Sequence, residues 1–205
     1  MSNKIALIDY GLGNLFSVAR ALTFAKADWF FATKPDQLKK ADKLVLPGVG
    51  AFADGIAGLK AKKLDKAIKS EVDKGKPILG ICLGMQLMVT TGYEFGTHAG
   101  LDLIPGIVEK MSSRAKLPQI GWNEVKLVKS EIPLFKGIAD NDWFYFVHSY
   151  VVRPKDKTMV AATTNYGDDV FCSVVEYNRI WGTQFHPEKS GPTGLKIYAN
   201  FVNQV

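Results

Sequence analysis

The stretch Leu79-Gly80-Ile81-Cys82-Leu83-Gly84-Met85 decides the fold. It closes an apolar run that begins at Pro77-Ile78 and opens a helix-compatible segment. Glycine two positions either side of a cysteine is the pattern of a nucleophile elbow, because the strand-to-helix turn is too sharp for larger residues there. Such a turn lifts the thiol above the sheet at a helix N-terminus, whose dipole favours the reactive thiolate. The N–H of Leu83 then faces any oxyanion that develops beside the sulfur. Taken alone, the same seven residues also describe a buried structural cysteine next to a glycine-rich β–α turn.

Working outward, strand and helix signals alternate through the first half. Ile5–Ile8, Trp29–Ala32, Lys43–Leu46 and Pro77–Ile81 read as strands, the third stopped by Pro47-Gly48-Val49-Gly50. Ser17–Ala25, Ala51–Lys74 and Met85–Thr90 read as helices, the second interrupted at Gly55 and Gly58. Continuous apolar strands between helices imply a parallel sheet covered on both faces. From about Gly92 the spacing shortens. Ile107–Lys110, Asn123–Val128, Trp143–Val147, Met159–Ala162, Phe171–Val175 and Ile180–Phe185 read as strands, several separated by turn signals such as Asn165-Tyr166-Gly167-Asp168. The expected fold class is α/β: a mostly parallel central sheet flanked by helices, with antiparallel strands added as hairpins in the C-terminal half. A last helix is expected over Gly194–Val202, and residues 1–205 read as a single domain.

A cysteine nucleophile needs a base, and the base needs a group that orients it. Gln184-Phe185-His186-Pro187-Glu188 ends an apolar strand far downstream. His186 at that strand end can reach the thiol, and Pro187 bends the chain so that Glu188 turns back to the other imidazole nitrogen. Without the elbow this would read as a surface histidine before a helix-start glutamate. With it, Cys82, His186 and Glu188 become the candidate catalytic set. Leu46-Pro47-Gly48-Val49-Gly50-Ala51-Phe52 follows the third strand, where loops of a parallel sheet line the ligand crevice. Its backbone N–H groups can face an oxyanion, although an ordinary β–α turn has the same composition. It lacks the length and the Lys-Ser/Thr pair of a P-loop.

The remaining chemistry-bearing residues point elsewhere. The chain has three histidines and two cysteines. His148, the rival base, lies in an apolar strand and reads as a satisfied core or pocket-wall residue, His98 as a loop residue, and Cys172 as an inert strand cysteine. No spacing suggests a metal site, and no cofactor is expected. The formal charge of +6 comes from lysines spread over helix faces, so no nucleic-acid patch is expected. No apolar stretch reaches membrane-spanning length, and the N-terminus enters a strand directly, so a cytoplasmic protein with reduced thiols is expected.

The elbow, the glycine loop and the His-Pro-Glu segment, in this order, resemble a class I, triad-type glutamine amidotransferase. Six segments resemble more narrowly the glutaminase subunits of imidazole glycerol phosphate synthase, over residues 9–191. They are Asp9–Leu15, Leu46–Phe52, Gly80–Gln86, Gly121–Asn123, Phe146–Tyr150 and Gln184–Gly191. The resemblance implies glutamine hydrolysis through a Cys82 thioester, with ammonia leaving for a separate (β/α)₈-barrel cyclase subunit of histidine biosynthesis in a heterodimer. It further implies an oxyanion and switch loop of Gly48, Val49 and Gly50 with Leu83. Gln86 and the Ser149 backbone would be at the glutamine site, and Asn14, Trp122, Asn123, Tyr150 and Lys189 at the partner interface. Two segments depart from the pattern: Gln119 stands where relatives usually carry histidine, and Tyr93-Glu94-Phe95-Gly96 replaces a glutamate-rich stretch.

Other readings are distinguishable. A paralogous glutaminase serving a cyclase-like synthetase in surface-sugar modification would share the site but not the partner. The glutaminase of pyridoxal phosphate synthase lacks the Pro-Gly-Val-Gly and Gly-Trp-Asn segments. Cysteine hydrolases of similar architecture commonly carry histidine directly after the nucleophile, where this chain has Leu83. A non-enzymatic module would not need an intact Cys82, His186 and Glu188.

Overall fold

The computed structural model describes residues 4–112, 114 and 116–205. Its strands are β1 (Lys4–Ile8), β2 (Asp28–Ala32), β3 (Lys43–Gly48), β4 (Ile78–Cys82), β5 (Val89–Gly92), β6 (His98–Ala99), β7 (Ile104–Lys110), β8 (Gln119–Leu127), β9 (Asp142–His148), β10 (Tyr150–Pro154), β11 (Val160–Tyr166), β12 (Asp169–Tyr177) and β13 (Ile180–Thr183). The helices are α1 (Leu15–Phe24), α2 (Pro35–Leu38), α3 (Phe52–Ala61), α4 (Leu64–Asp73), α5 (Leu83–Leu87) and α6 (Gly191–Asn203). Among the described residues no helix is long and apolar enough to cross a membrane.

Nine strands form one sheet in the order β2-β1-β3-β4-β13-β12-β11-β8-β9. The first five are parallel to one another, and the last four join antiparallel. This is the expected α/β class. Side chains alternate strictly across the parallel part: Ile5, Leu7, Val45, Leu79 and Ile81 pack on the face of α1 and α6. Ala6, Ile8, Leu44, Leu46 and Ile78 pack on the face of α3 and α4. Both faces are therefore apolar, which is why these strands carry no alternation of hydropathy in the sequence.

The sheet register brings distant segments together. Gly48 pairs with Cys82 across β3–β4, and Thr183 pairs with Ile81 across β13–β4. Because β1, β3, β4 and β13 run the same way, the segments after Ile8, Gly48, Cys82 and Thr183 all emerge on one rim. Such a rim is where open α/β sheets bind ligands.

Several expected boundaries are corrected. Pro47-Gly48 does not stop β3; both residues stay in the ladder, opposite Ile81 and Cys82. The break between α3 and α4 falls at Lys62-Lys63, where Lys63 has φ 57°, and not at the glycines. A Cβ on Gly55 would lie 2.8 Å from Leu87 Cδ2, and one on Gly58 2.8 Å from the Tyr10 carbonyl oxygen. Those glycines permit close packing. The helix after Cys82 ends at Leu87, and Val89–Gly92, with β-branched Val89, Thr90 and Thr91, pairs as a strand. With β6, β7 and β10 it builds a separate four-stranded sheet, order β10-β7-β5-β6, where hairpins extending the main sheet were expected. His98 accordingly lies in a strand and not a loop. The last helix begins at Gly191, three residues earlier than its periodicity suggests.

Candidate active site

Cys82 ends β4 and immediately precedes α5, with φ 53° and ψ −111°. Positive φ in a non-glycine residue is strained and persists only where surrounding packing enforces it. The flanking glycines explain how. A Cβ on Gly84 would lie 1.8 Å from the Leu46 carbonyl oxygen, and one on Gly80 2.8 Å from the Met85 nitrogen. Neither position tolerates a side chain, so the elbow reading of the sequence holds in geometry.

A cavity of about 360 Å³ opens over this turn. Val49, Gly50, Cys82, Leu83, Gln86, Glu94, His148, Ser149, Tyr150 and His186 are among the residues that line it. The thiol, the histidine, both expected glutamine-site residues and two of the three glycine-loop residues are thus brought together. Gly48 is not on the wall. It lies behind it, where a Cβ would meet the Tyr10 hydroxyl at 2.6 Å and the Gly84 nitrogen at 2.8 Å.

His186 follows β13, and Pro187–Lys189 forms a single 3-10 turn. That turn carries Glu188 back so that His186 Nδ1 donates to Glu188 Oε1 at 2.8 Å, with both side chains almost wholly buried. The second carboxylate oxygen accepts from the Tyr198 hydroxyl at 3.3 Å. Tyr198 is fully buried on α6, and burial and the Glu188 charge hold its hydroxyl protonated far above the usual range. Burial alone would depress the His186 imidazole, but the Cys82 sulfur and the Glu188 carboxylate outweigh it and raise its pKa to about 10. Among the described residues no hydrogen bond is formed by His186 Nε2.

His148 is on the pocket wall, one of the two readings that its strand position left open. Its ring packs edge-on to Phe171 at 5.0 Å, and Nδ1 meets the Tyr150 carbonyl at 3.0 Å. Burial pushes its pKa down to about 4; the Tyr150 carbonyl opposes this and His186 adds to it. A neutral imidazole with that partner carries its proton on Nδ1. Burial likewise pushes the Cys172 thiol up to about 12; both cysteines are free.

The chain matches the family model for glutamine amidotransferase class-I over residues 6–205. It belongs to the class I glutamine amidotransferases. Similar relatives of this amidotransferase include the imidazole glycerol phosphate synthase subunit HisH of Dehalococcoides mccartyi (strain CBDB1). That protein is 48% identical over 197 residues, 96% of this chain and 95% of the relative. The HisH subunit of Chlorobaculum tepidum is 43% identical, covering 97% and 98%. HisH 1 of Methanococcus maripaludis is 44% identical, covering 98% and 100%. Among solved structures, PurLQS from Thermotoga maritima aligns with TM-score 0.77 at 19% identity over 99% of both chains. The glutaminase domain of Trypanosoma brucei CTPS with bound acivicin aligns with TM-score 0.68 at 18% identity, over 97% and 93%. These two show a shared amidotransferase fold.

The residues grouped as a partner interface separate into three kinds. Trp122, half exposed on β8, lies edge-on to Tyr145 at 6.3 Å, and Lys189 Nζ stands 5.7 Å over the same ring. Tyr150 lines the cavity. Asn14 and Asn123 are engaged within the amidotransferase itself: Asn14 Oδ1 caps α1 through the Ser17 N–H at 3.3 Å, and Asn123 Nδ2 donates to the Asn165 carbonyl at 2.8 Å. Sequence reasoning missed four residues of the site. Gln184 and Glu94 stood inside quoted segments without a role, and Tyr10 and Tyr198 carried no sequence signal of proximity to the thiol.

Proposed function

We propose that the chain hydrolyses glutamine at Cys82 and passes the ammonia to a separate (β/α)₈-barrel cyclase subunit of imidazole glycerol phosphate synthase. The observation that carries this is His186, on the wall of the cavity that holds Cys82 and paired behind that wall with the buried Glu188 carboxylate. Proton transfer between thiol and imidazole leaves Cys82 as thiolate beside imidazolium, a state the raised pKa of His186 favours. The sulfur attacks the side-chain amide carbon, and the negative charge on oxygen is met by the Leu83 N–H and the Gly48–Gly50 loop. His186 gives its proton to the amide nitrogen, the C–N bond breaks and ammonia leaves. His186 then takes a proton from water, whose oxygen attacks the thioester; glutamate leaves and the thiolate returns. Glu188 holds the imidazole in one tautomer throughout. Gln86 and the Ser149 backbone bind glutamine, and Glu94, the carboxylate on the cavity wall, suits its α-ammonium group.

Movement of the oxyanion loop would be confined to Val49 and Gly50. Gly48 is wedged against Tyr10 and Gly84, whereas Gly50, at φ 103°, has open space around its Cβ position, and Val49 is 40% exposed. Trp122, Tyr145 and Lys189, with exposed Ile120 and Trp143 on the same pair of strands, form the partner face of a heterodimer that works in the cytoplasm. Glutamate release by the isolated chain is expected to be slow and to rise at least about 100-fold when the cyclase and its nucleotide ligand are added. Full activity of the chain alone would refute the partner dependence. Capture of a sugar-modifying synthetase in place of the cyclase would move the protein to the paralogous pathway.

The pH profile follows from His186. A raised pKa keeps the imidazolium present below about 10 and loses it above. Turnover should hold into the alkaline range and fall as pH passes about 10. Glu188→Gln removes one source of the rise, so the alkaline limb should move to lower pH by about one unit or more. Initial rates across pH at saturating glutamine measure both.

A further inference from the structure

The elbow was expected to owe its thiolate character to the dipole of the following helix. That helix, α5, is five residues long, little more than one turn, and carries only a small share of a full macrodipole. The sulfur has a different neighbour. Gln184 Nε2 lies 3.7 Å from Cys82 Sγ. Gln184 is completely buried at the end of β13, and a buried amide is found where its hydrogen bonds are met.

The orientation of that amide follows from a carbonyl two hydrogen bonds away. The Tyr150 carbonyl can only accept, and it takes hydrogen bonds from Gln86 Nε2 at 3.0 Å and from His148 Nδ1 at 3.0 Å. The Gln86 amide must therefore present nitrogen on that side. The same nitrogen is 3.1 Å from Gln184 Oε1, so Gln184 shows oxygen to Gln86 and nitrogen to the sulfur. Turning Gln184 over would set donor against donor at Gln86 and lone pair against lone pair at Cys82. A backbone carbonyl thus fixes an N–H aimed at the nucleophile through two side-chain amides.

We propose that Gln184 is a catalytic residue whose side-chain N–H holds the negative charge of the Cys82 sulfur. An N–H to an anionic acceptor is about twice as strong as a neutral pair, so the contact favours thiolate over thiol. It acts twice in the cycle. Before attack it supports the thiolate that donates its electron pair to the amide carbon. In the second half-reaction the C–S bond breaks, the electron pair returns to sulfur, and the same N–H receives it as the leaving group forms. Gln184 is not on the cavity wall, so its contribution belongs to kcat and not to glutamine binding.

The proposal rests on Cys82 being the nucleophile, and its test is separable from that reading, which Cys82→Ala examines. In Gln184→Leu the ultraviolet absorbance of the thiolate should develop about one pH unit higher, with kcat for glutamine at neutral pH down about tenfold and KM within about twofold. Gln184→Glu keeps the shape and the acceptor toward Gln86 but sets a carboxylate against the sulfur, and should shift the thiolate further. In the unsubstituted chain the Gln184 side-chain amide resonance should move as Cys82 titrates, which needs no variant to fold. A stationary resonance, or an unchanged thiolate titration in either folded variant, overturns the proposal. So does a loss carried by KM.

Discussion

Cys82→Ala should lower glutamate release by at least about four orders of magnitude, leaving only what binding and the oxyanion donors supply. No thioester can form without Sγ, and His186 alone has no nucleophile to activate. The fold should survive. Cys82 contributes little volume to the core, and alanine at φ 53° meets about the same backbone strain as the cysteine it replaces. Release of glutamate and the thermal transition, measured on the same preparation with the cyclase present, separate the two effects. A variant that still turned over glutamine near the original rate would overturn the thioester mechanism, whatever its stability.

Gly84→Ala should be the most damaging single methyl group for the fold. Its Cβ would stand 1.8 Å from the Leu46 carbonyl oxygen and 2.8 Å from the Leu46 carbonyl carbon. Both are backbone atoms of β3 in the middle of the parallel sheet, so no rotamer change relieves the contact. Either α5 lifts away from the sheet or β3 shifts and carries Gly48 and Val49 with it. A cost of about 3 kcal/mol or more is expected, lowering Tm by about 10 °C. Gly50→Ala is the matched control: it strains the backbone at φ 103° but meets open space, and should cost only about 1 kcal/mol. Thermal unfolding of the two variants checks the order. Equal losses would mean that backbone strain, and not the collision with β3, sets the requirement for glycine.

Much of the site was legible because its chemistry needs rare local patterns. Glycines at 80 and 84 around a cysteine, and His-Pro-Glu after a strand, each describe a short-range geometry that few other sequences produce. Glu188 reaches His186 Nδ1 through one 3-10 turn, and a spacing of two residues with proline between is enough to indicate that. Gln184 and Tyr198 were not legible. Their roles depend on contacts across 102 and 10 residues, between a strand end and an elbow or between a helix and a turn, and no periodicity carries such information. Ala51–Lys74 is helical as expected, but the break assigned to its glycines falls at Lys62-Lys63, for a related reason. Gly55 and Gly58 look like interruptions in one dimension, and their function is to admit Leu87 and Tyr10 in three.

The chain by itself determined the elbow and the parallel strands and pointed to Cys82, His186 and Glu188 as the candidate set, because each is encoded over a few neighbouring residues by size, hydropathy or turn chemistry. Only the tertiary structure decided which strands meet. Pairing β13 beside β4 puts His186 on the rim with Cys82, pairing β5 with β7 turns an expected helix end into a second sheet, and the Tyr150 carbonyl orients an amide against the sulfur. Those outcomes follow from competition among long-range pairings for the same backbone hydrogen bonds and the same buried space, and that competition is settled by the whole fold.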